Sequence, residues 1–324
     1  AMRTAKELLI ASKEFAKENR VVSWWHLLST LALAIVLFAA AVSGLHWGIR
    51  SVASIALGLV WVRLFIIYHD VQHNAMFKGS TTARFVMALF GLITASPPSV
   101  WRRSHDHHHK HNSKIFGAHI GSYPIMTTEA YANAETRHKW AYAASRHPLL
   151  ISLGYFTVFL WGMSLRPFLQ NPARHFDGLV AGVISLGSMA ILGWFGLDMM
   201  LLGMTIPIMI AAAMGAYLFY AQHNYPTARL KPNSEWSHVD AALNASSYIA
   251  MSPLMHWFTG NIGYHHVHHL NAQIPFYRLP EAMASLEELQ TPGITTLKFG
   301  DVLACLRLKL WSPEQNRFVT FAGK

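Results

Sequence analysis

Residues 49–73 read IRSVASIALGLVWVRLFIIYHDVQH, in which a long apolar run leads directly into two histidines. The apolar part, Ile49–Tyr68, has about the twenty residues that a helix needs to cross a bilayer. His69 and His73 are four positions apart, so on a helix their imidazoles lie on the same face. The stretch predicts a membrane-spanning helix that carries a pair of metal-binding side chains at its end.

Other apolar stretches have a similar length: Trp25–Leu45, Gly178–Gly196 and Met199–Phe219. A short turn at His46–Gly48 separates the first of them from the quoted stretch, and Leu197 and Asp198 separate the other two. Because helices joined by such short turns run antiparallel, the sequence predicts two transmembrane helical hairpins with four spans.

The composition agrees with a membrane protein. Of the 324 residues, 52% are apolar and 13% are charged, whereas soluble globular proteins carry about 25% charged residues. This deficit argues against a soluble enzyme and, with the high apolar content, against a disordered chain. The single cysteine, Cys305, excludes an internal disulfide, a four-cysteine iron–sulfur cluster and a cysteine zinc site.

The lysines and arginines predict the orientation. Five occur up to Arg20, eleven lie between residues 70 and 177, and eight follow residue 220, whereas the hairpin turns hold only Arg50. Positive residues concentrate in cytoplasmic loops, so we expect both termini and the central loop on the cytoplasmic side. The net charge of +10 then reflects topology, and no nucleic-acid partner is expected.

These features predict an all-α integral membrane protein with one domain and a cytosolic helical cap. The N-terminal arm, with Leu8, Leu9, Ile10 and Phe15 among charged residues, is expected to lie in the membrane interface, an ordinary cytosolic helix being the alternative. The predicted segments are residues 1–24 (amphipathic arm), 25–68 (first hairpin), 69–177 (cytosolic loop), 178–219 (second hairpin) and 220–324 (cytosolic tail).

The 20 histidines outnumber the 16 Asp and Glu residues, and nine of them are ordered. The spacing H-x3-H occurs once and H-x2-H-H twice, and each box places its imidazoles along one side of a helix. A further histidine follows the fourth span. Nine ligands exceed the coordination of one ion, so the sequence predicts a two-metal site, for which imidazole alone does not choose among iron, copper, nickel and zinc. The candidate ligands are His69, His73, His105, His108, His109, His223, His265, His268 and His269.

Some residues in or next to the histidine boxes are candidates for orienting the ligands or holding water. Asp70 and Asp106 are candidates for orienting imidazoles, with solvated charges as the alternative. Asn261 is a candidate for holding a metal-bound water, with a helix cap as the alternative. His107 and His266 fall off the ligand faces, and the role of His111 is left open. The other histidines are expected to be structural: His26, His46, His119, His138, His147, His175, His238 and His256.

Two further apolar runs, Phe85–Val100 and Leu149–Leu165, are not assigned as membrane spans. Phe85–Val100 contains two prolines and predicts an interfacial or re-entrant segment. For the boxes to meet on one side of the membrane, the chain must cross it an even number of times between His109 and His223. Leu149–Leu165, with prolines near both ends, is therefore assigned to the interface, which leaves four spans.

Several segments resemble the membrane fatty acid desaturases, particularly the bacterial relatives of the omega-6 (delta-12) type: Phe65–Phe77, Trp101–His109, Phe219–His223 and Trp257–Pro280. The resemblance implies two non-haem iron ions, O2 as co-substrate, and removal of two hydrogens from a fatty acyl chain, as in an acyl lipid, to leave a cis double bond. Val71-Gln72 and Asn224-Tyr-Pro depart from the family pattern and leave the regioselectivity open. Hydroxylases and carotenoid ketolases share the three boxes and remain the alternative.

An unactivated methylene cannot be deprotonated by a side chain near neutral pH, so the implied reaction needs O2 activation and electrons. The sequence has no cluster cysteines and no recognisable flavin or haem segment. We therefore expect a separate electron donor, a ferredoxin or a cytochrome b5-like protein, to dock on the basic cytosolic face. The fatty acyl substrate would enter from the membrane lipids, most naturally those of a bacterial inner membrane.

Rival interpretations fit less well. A soluble ferritin-like di-iron bundle uses Glu-x-x-His pairs, and Glu135/His138 and Glu235/His238 match that spacing, but the further glutamates on long helices are missing. A membrane metal transporter carries ionisable ligands near the bilayer midplane. The four predicted spans contain no Asp or Glu, which argues against a transporter.

Overall fold

A computed structural model describes residues 3–117 and 120–323, and helices form most of its regular structure. His119, given a structural role above, lies outside the described residues. The α-helices are α1 Ala5–Ser12, α2 Arg20–Val42, α3 Trp47–Gln72, α4 Thr81–Ile93, α5 Pro98–Lys110, α6 Thr128–Asn133, α7 Thr136–Ser145, α8 Pro148–Ser152, α9 Arg166–Gln170, α10 Phe176–Phe195, α11 Leu197–Met200, α12 Ile206–Ala221, α13 His238–Asn244, α14 Pro253–Phe258, α15 His265–Leu270, α16 Leu279–Ser285 and α17 Phe299–Arg307. The structure also contains two π-helical segments, Tyr155–Leu165 and Leu201–Thr205. The described residues form two 3₁₀ helices, Phe276–Arg278 and Glu287–Leu289.

Two small sheets depart from the all-helical expectation. Strand β1 (Tyr248–Ala250) pairs in parallel with β2 (Ile294–Thr296). Strand β3 (Leu310–Ser312) pairs antiparallel with β4 (Arg317–Val319). Strands of three residues are too short for their alternation of apolar and polar side chains to be recognised in a sequence.

Four helices within the described residues are long and apolar enough to cross a membrane, in agreement with the predicted number. They are α2, α3, α10 and the continuous helix Leu197–Ala221, which comprises α11, a π-helical segment and α12. The second helix is longer than predicted, because α3 continues past Tyr68 to Gln72. The first histidine box therefore begins on the candidate spanning helix itself.

Helix α3 is the most enclosed of the four, with 67% of its apolar window buried against 22% for α2. It packs against α2 and against α12. The contact with α12 is close at Gly58, where an added Cβ would lie 2.9 Å from the Cβ of Ile210 and 3.0 Å from the carbonyl oxygen of Pro207. The absence of a side chain at Gly58 thus allows the two helices to approach each other.

Arg63 connects α3 to two neighbouring helices. It is only 3% exposed, and its Nε donates to Oγ1 of Thr30 on α2 at 3.2 Å. Its Nη1 donates to the carbonyl oxygen of Trp257 on α14, and the guanidinium carbon lies 4.4 Å from the centroid of the Trp257 ring. These partners satisfy a cation that is buried inside a candidate span.

The run Phe85–Val100 forms a sharp bend, as its two prolines predict. Helices α4 and α5 meet at 93°, and the turn is closed by the Ser96 amide, which donates to the carbonyl oxygen of Gly91 at 2.7 Å. The hydroxyl of Tyr68 donates to the Ser96 carbonyl at 2.8 Å and so attaches the bend to α3. This contact brings the second histidine box beside the first.

The run Leu149–Leu165 is divided between α8 and the π-helical segment Tyr155–Leu165. Neither piece belongs to the four helices that are long and apolar enough to span a membrane. The division agrees with leaving this run out of the predicted spans.

The N-terminal arm packs on protein to a greater extent than the interfacial prediction implied. Leu8 and Phe15 are 2% and 5% exposed and belong to the main hydrophobic core, whereas Ile10 is 54% exposed. Ser12 accepts a hydrogen bond from Nδ2 of Asn271 at 3.0 Å, directly after the third box. Much of the apolar face assigned to lipid is therefore buried in protein, and Ser12 attaches the arm to a residue that follows the third box.

Gly58→Ala is expected to destabilise the protein by about 1–3 kcal/mol, because the new methyl group would overpack the contact between α3 and α12. The matched control is Gly187→Ala on α10, where an added Cβ meets no atom within 4 Å. The control should gain the small helix-propensity benefit of alanine. Thermal unfolding of the two purified variants in detergent tests this, and equal midpoints would contradict the close contact.

Candidate metal centre

The three histidine boxes lie on three short stretches of helix, as their spacing predicts. The first ends α3, the second occupies the C-terminal half of α5, and the third forms α15. His223 follows Gln222, the C-cap of α12. Because α3, α5, α12 and α15 converge, the structure brings together all nine histidines named from the sequence, in two groups.

The first histidine group consists of His69, His73, His105, His109 and His268. One nitrogen from each ring can be chosen so that all five lie within 4.8 Å of one another. The Nε2 atoms of His69 and His105 are 3.0 Å apart, those of His105 and His109 3.2 Å, and those of His109 and His268 3.0 Å. The ring nitrogens of these histidines therefore point into one shared space between the five side chains.

The second histidine group consists of His108, His223, His265 and His269, with ligand atoms again within 4.8 Å of one another. The Nε2 atoms of His108 and His269 are 3.1 Å apart, and those of His223 and His265 are 3.0 Å apart.

Two of the boxes are shared between the groups, which the sequence does not reveal. Helix α5 directs His105 and His109 to the first group and His108 to the second. Helix α15 directs His268 to the first group and His265 and His269 to the second. Residues i and i+4 thus stay together, and the residue at i+3 goes to the other group, because it is displaced to the other side of the shared face.

The donor set fits metal ions. At metal–nitrogen distances of about 2.1 Å, two nitrogens at right angles lie about 3 Å apart, which is the spacing seen within both groups. The Nε2 of His73 is buried without a hydrogen-bond partner among the described residues, as expected of a lone pair kept for a metal. Each group could therefore hold one metal ion.

The imidazoles are also in the charge state that a metal needs. Burial lowers the pKa of His223 to about 4. Burial, reinforced by neighbouring histidines, lowers the pKa values of His108 and His265 well below the usual range. A neutral imidazole keeps a lone pair, so these rings are available as ligands at neutral pH.

In three of the histidines, the Nδ1 atom, which faces away from the shared space, has a hydrogen-bond partner that orients the ring. Nδ1 of His69 donates to Oδ1 of Asp70 at 3.0 Å, and Nδ1 of His223 donates to the carbonyl oxygen of Ala245 at 3.0 Å. Nδ1 of His108 lies 2.6 Å from Oγ of Ser122. In His69 and His223 the proton is thereby held on Nδ1, and the Nε2 lone pair points into the group.

Asp70 has the place that the sequence predicted for an orienting carboxylate. It is 1% exposed, and its Oδ2 accepts the amide proton of Phe276 at 2.7 Å while Oδ1 accepts from His69. One carboxylate therefore connects the first box to the segment that follows the third box.

Asp106 and Asn261 do not share this geometry. Within residues 3–117 and 120–323, Asp106 has no hydrogen bond to an imidazole. Asn261 adopts a left-handed backbone conformation (φ 52°), and its Nδ2 donates to the carbonyl oxygen of Phe276 at 3.2 Å. This bond connects Asn261 to the backbone of Phe276 and not to a histidine of either group.

The remaining box histidines lie outside both groups. His107 and His111 stack on each other with ring centroids 4.0 Å apart. His266 is fully buried, and its Nε2 donates to the carbonyl oxygen of Leu289 at 3.0 Å. A structural role fits these contacts. Ser122 and Ala245, which hold ligand-group histidines, were missed because neither lies in a recognisable motif.

The Glu-x-x-His pairs of the soluble di-iron alternative do not form a site in the described residues. Glu135 is exposed and pairs with Arg137. Nε2 of His238 lies 3.3 Å from the carbonyl oxygen of Leu270. Within the part of the chain that the structure describes, neither pair belongs to a histidine or carboxylate group that could hold a metal ion.

An apolar cavity of about 300 Å³ lies against both histidine groups. Its walls come from α3, α4, α5, the π-helical segment Tyr155–Leu165 and α12. His69 and His105 of the first group and His265 of the second form part of the wall. No Asp, Glu, Lys or Arg of the described residues lines it, so the cavity offers an elongated apolar ligand direct access to the candidate metal sites.

A family model described as fatty acid desaturase matches residues 45–297, which include all nine histidines and every residue that lines the cavity. The chain belongs to the fatty acid desaturase family. It is therefore an oxidoreductase of lipid metabolism, and the resemblance seen in the sequence is confirmed.

Similar proteins carry related descriptions. A "Fatty acid desaturase" of Bacillus subtilis (strain 168) is 33% identical over 272 residues, covering 82% of this chain and 76% of the relative. A "sn-1 oleoyl-lipid 12-desaturase" of Synechocystis sp. is 26% identical, covering 85% of this chain and 79% of the relative. A chloroplastic "Omega-6 fatty acid desaturase" of Brassica napus is 23% identical, covering 85% and 62%.

Asp70→Asn is expected to weaken metal binding by roughly 10- to 100-fold, as changes next to metal-bound histidines commonly do. An amide oxygen can replace only one of the two carboxylate oxygens, so the bond to His69 or to the Phe276 amide is lost. Asp106→Asn is the matched control and should bind metal like the unaltered protein. Metal content after dialysis against a graded chelator series measures the difference, and equal retention by both variants would contradict the role of Asp70.

Proposed function

We propose that this chain is an O2-dependent desaturase that uses two non-haem iron ions to introduce a cis double bond into a fatty acyl chain. The observation that carries the proposal is the apolar cavity whose wall includes His69 and His105 of the first histidine group and His265 of the second. A saturated carbon chain in this cavity has two metal-binding groups beside it and no charged side chain of the described residues around it.

Each histidine group is proposed to hold one iron ion. The ligands are His69, His73, His105, His109 and His268 for one ion and His108, His223, His265 and His269 for the other. Iron bound here supplies the activation of O2 that removal of hydrogen from an unactivated methylene requires. Imidazole is a suitable iron ligand, and the family membership favours iron over the other metals that suit it.

The protein groups of the cavity bind the chain and exclude water. Trp61, Phe65 and Phe159 contribute apolar wall beyond the histidines, and burial of a methylene-rich chain against them is favourable by about 0.8 kcal/mol per CH₂ group. Trp101 lies against His105, with ring centroids 4.4 Å apart, and also lines the cavity. It thereby limits the freedom of the reacting part of the chain next to the first group.

A membrane lipid is the proposed acyl carrier. The cavity is formed mainly by helices among or beside the four candidate spans, so an acyl chain can reach it without leaving an apolar environment. The Synechocystis relative is described as acting on an oleoyl lipid, which supports the same substrate class here.

The topology proposed from the charges places the histidine groups, both termini and the cap on the cytoplasmic face of a bacterial inner membrane. The two hairpins, residues 25–68 and 178–219, anchor this cap. Electrons are proposed to come from a ferredoxin or a cytochrome b5-like protein, since the sequence has no cluster cysteines of its own. Such a donor would bind from the cytoplasm.

Expression in a host that lacks polyunsaturated fatty acids, followed by gas chromatography of its lipids, tests the reaction. We expect a new unsaturated fatty acid with the unaltered chain and loss of at least 99% of it with His265→Ala or His268→Ala, which each remove a candidate ligand (about 10²-fold or more for a disrupted metal site). His138→Ala is the control, because His138 is exposed and outside both groups.

The product identifies the reaction class. A hydroxy or keto fatty acid would replace desaturation with one of the sister activities of the three-box scaffold. An unchanged yield from His265→Ala and His268→Ala would contradict the assignment of the ligands.

A further inference from the structure

One wall of the cavity is a single face of α12. The spacing of the lining residues of this helix places them on one side: Ile208, Ala211, Ala212, Gly215, Ala216, Leu218 and Phe219. Phe219 marks the end nearest the histidines, since its ring centroid lies 4.9 Å from that of His108. Ile208 is the lining residue of α12 that is furthest from them.

Gly215 lies near the middle of this face, between these two ends. An added Cβ at Gly215 would meet no atom of residues 3–117 and 120–323 within 4 Å. Its neighbour on the face, Ala216, is already in close packing, because its Cβ lies 2.8 Å from the position of a Cβ on Gly154. Gly215 is thus a lining position at which a side chain has free space to enter.

Beyond Ile208 the helices pack closely, and the part of the cavity next to Ile208 is called the closed end below. Ile208 itself is 2% exposed, and α3 and α12 come into direct contact at Gly58, Pro207 and Ile210. At a rise of about 1.5 Å per residue, Gly215 is about 6 Å along α12 from Phe219 and about 10 Å from Ile208. A bulky side chain at 215 would therefore separate the closed end of the cavity from the part beside the histidines.

The closed end can accept only the hydrocarbon end of an acyl chain. No charged side chain of the described residues lines the cavity, and the closed end lies among apolar side chains such as Met204, Phe159 and Ala212. Burying a carboxyl ester or a lipid headgroup there without hydrogen-bond partners would be costly. The methyl terminus is the part of the substrate that this space fits.

We propose that Gly215 determines how far the methyl end of the acyl chain extends beyond the carbons that react. This inference rests on the proposed desaturase function and adds a specificity-determining residue to it. The missing side chain at 215 leaves the passage to the closed end open, and Ile208 limits the length of chain that this end accepts. The position of the new double bond relative to the methyl end follows from this length.

The experiment supplies a host expressing the chain with fatty acids of increasing length and measures the desaturated fraction of each by gas chromatography. We expect Gly215→Leu to lower the ratio of long-chain to short-chain product by roughly tenfold or more, the discrimination typical of a misfit in an apolar pocket. Gly215→Ala should give a smaller shift in the same direction.

Gly187→Leu is the matched control. Gly187 lies on α10, also has no atom within 4 Å of an added Cβ, and does not line the cavity. It should keep the chain-length profile of the unaltered protein. If Gly215→Leu does not accumulate in the membrane, Ile208→Ala provides the converse test, because it enlarges the closed end and should shift the profile toward longer chains.

The possible outcomes distinguish a failure of the proposed desaturase function from a failure of the role proposed for Gly215. No unsaturated product from the unaltered chain would refute the proposed function. Product from the unaltered chain together with unchanged profiles for Gly215→Ala, Gly215→Leu and Ile208→Ala would overturn the role of Gly215 and leave the proposed function intact. An equal shift in Gly187→Leu would also overturn it, since the effect would not then come from the cavity.

Discussion

Nine imidazoles can share a buried space only if each ring is neutral and directs a lone pair inward, and the rest of the structure serves this requirement. Burial keeps the pKa values of rings such as His108 and His265 low. Hydrogen bonds from outer nitrogens to Asp70 and the Ala245 carbonyl keep the proton of His69 and His223 away from the common space. Without these constraints, rings 3 Å apart would rotate or take up protons.

The helices that carry the rings are held by contacts outside the histidine groups. Arg63 connects α3 to α2 and to α14, and Gly58 allows α12 to approach α3 closely. The bend between α4 and α5 is attached to α3 through the hydroxyl of Tyr68. The same helices leave an apolar cavity beside the histidines, so the packing that positions the candidate metal ligands also forms the space for a hydrocarbon chain.

The sequence was most informative where a periodic pattern has a direct geometric meaning. Apolar length predicted the number of candidate spanning helices, and the spacing of the boxes predicted that their histidines lie on shared helix faces. The division of α5 and α15 between two groups could not be predicted, since spacing defines faces within one helix and not the crossing of two helices. Ser122 and Ala245 were missed because a hydroxyl or a backbone carbonyl becomes significant only when folding brings it to an imidazole. The burial of the N-terminal arm could not be predicted either, because the apolar side chains of Leu8 and Phe15 are equally compatible with lipid and with a protein core.

The central claim is that this chain binds two non-haem iron ions through nitrogen ligands. The most direct measurement is iron analysis of the purified protein together with its optical and Mössbauer spectra. The account predicts two iron ions per chain, no haem absorption band, and Mössbauer parameters of non-haem iron with nitrogen ligands. Haem absorption, or the absence of stoichiometric non-haem iron in protein that desaturates its substrate, would contradict it.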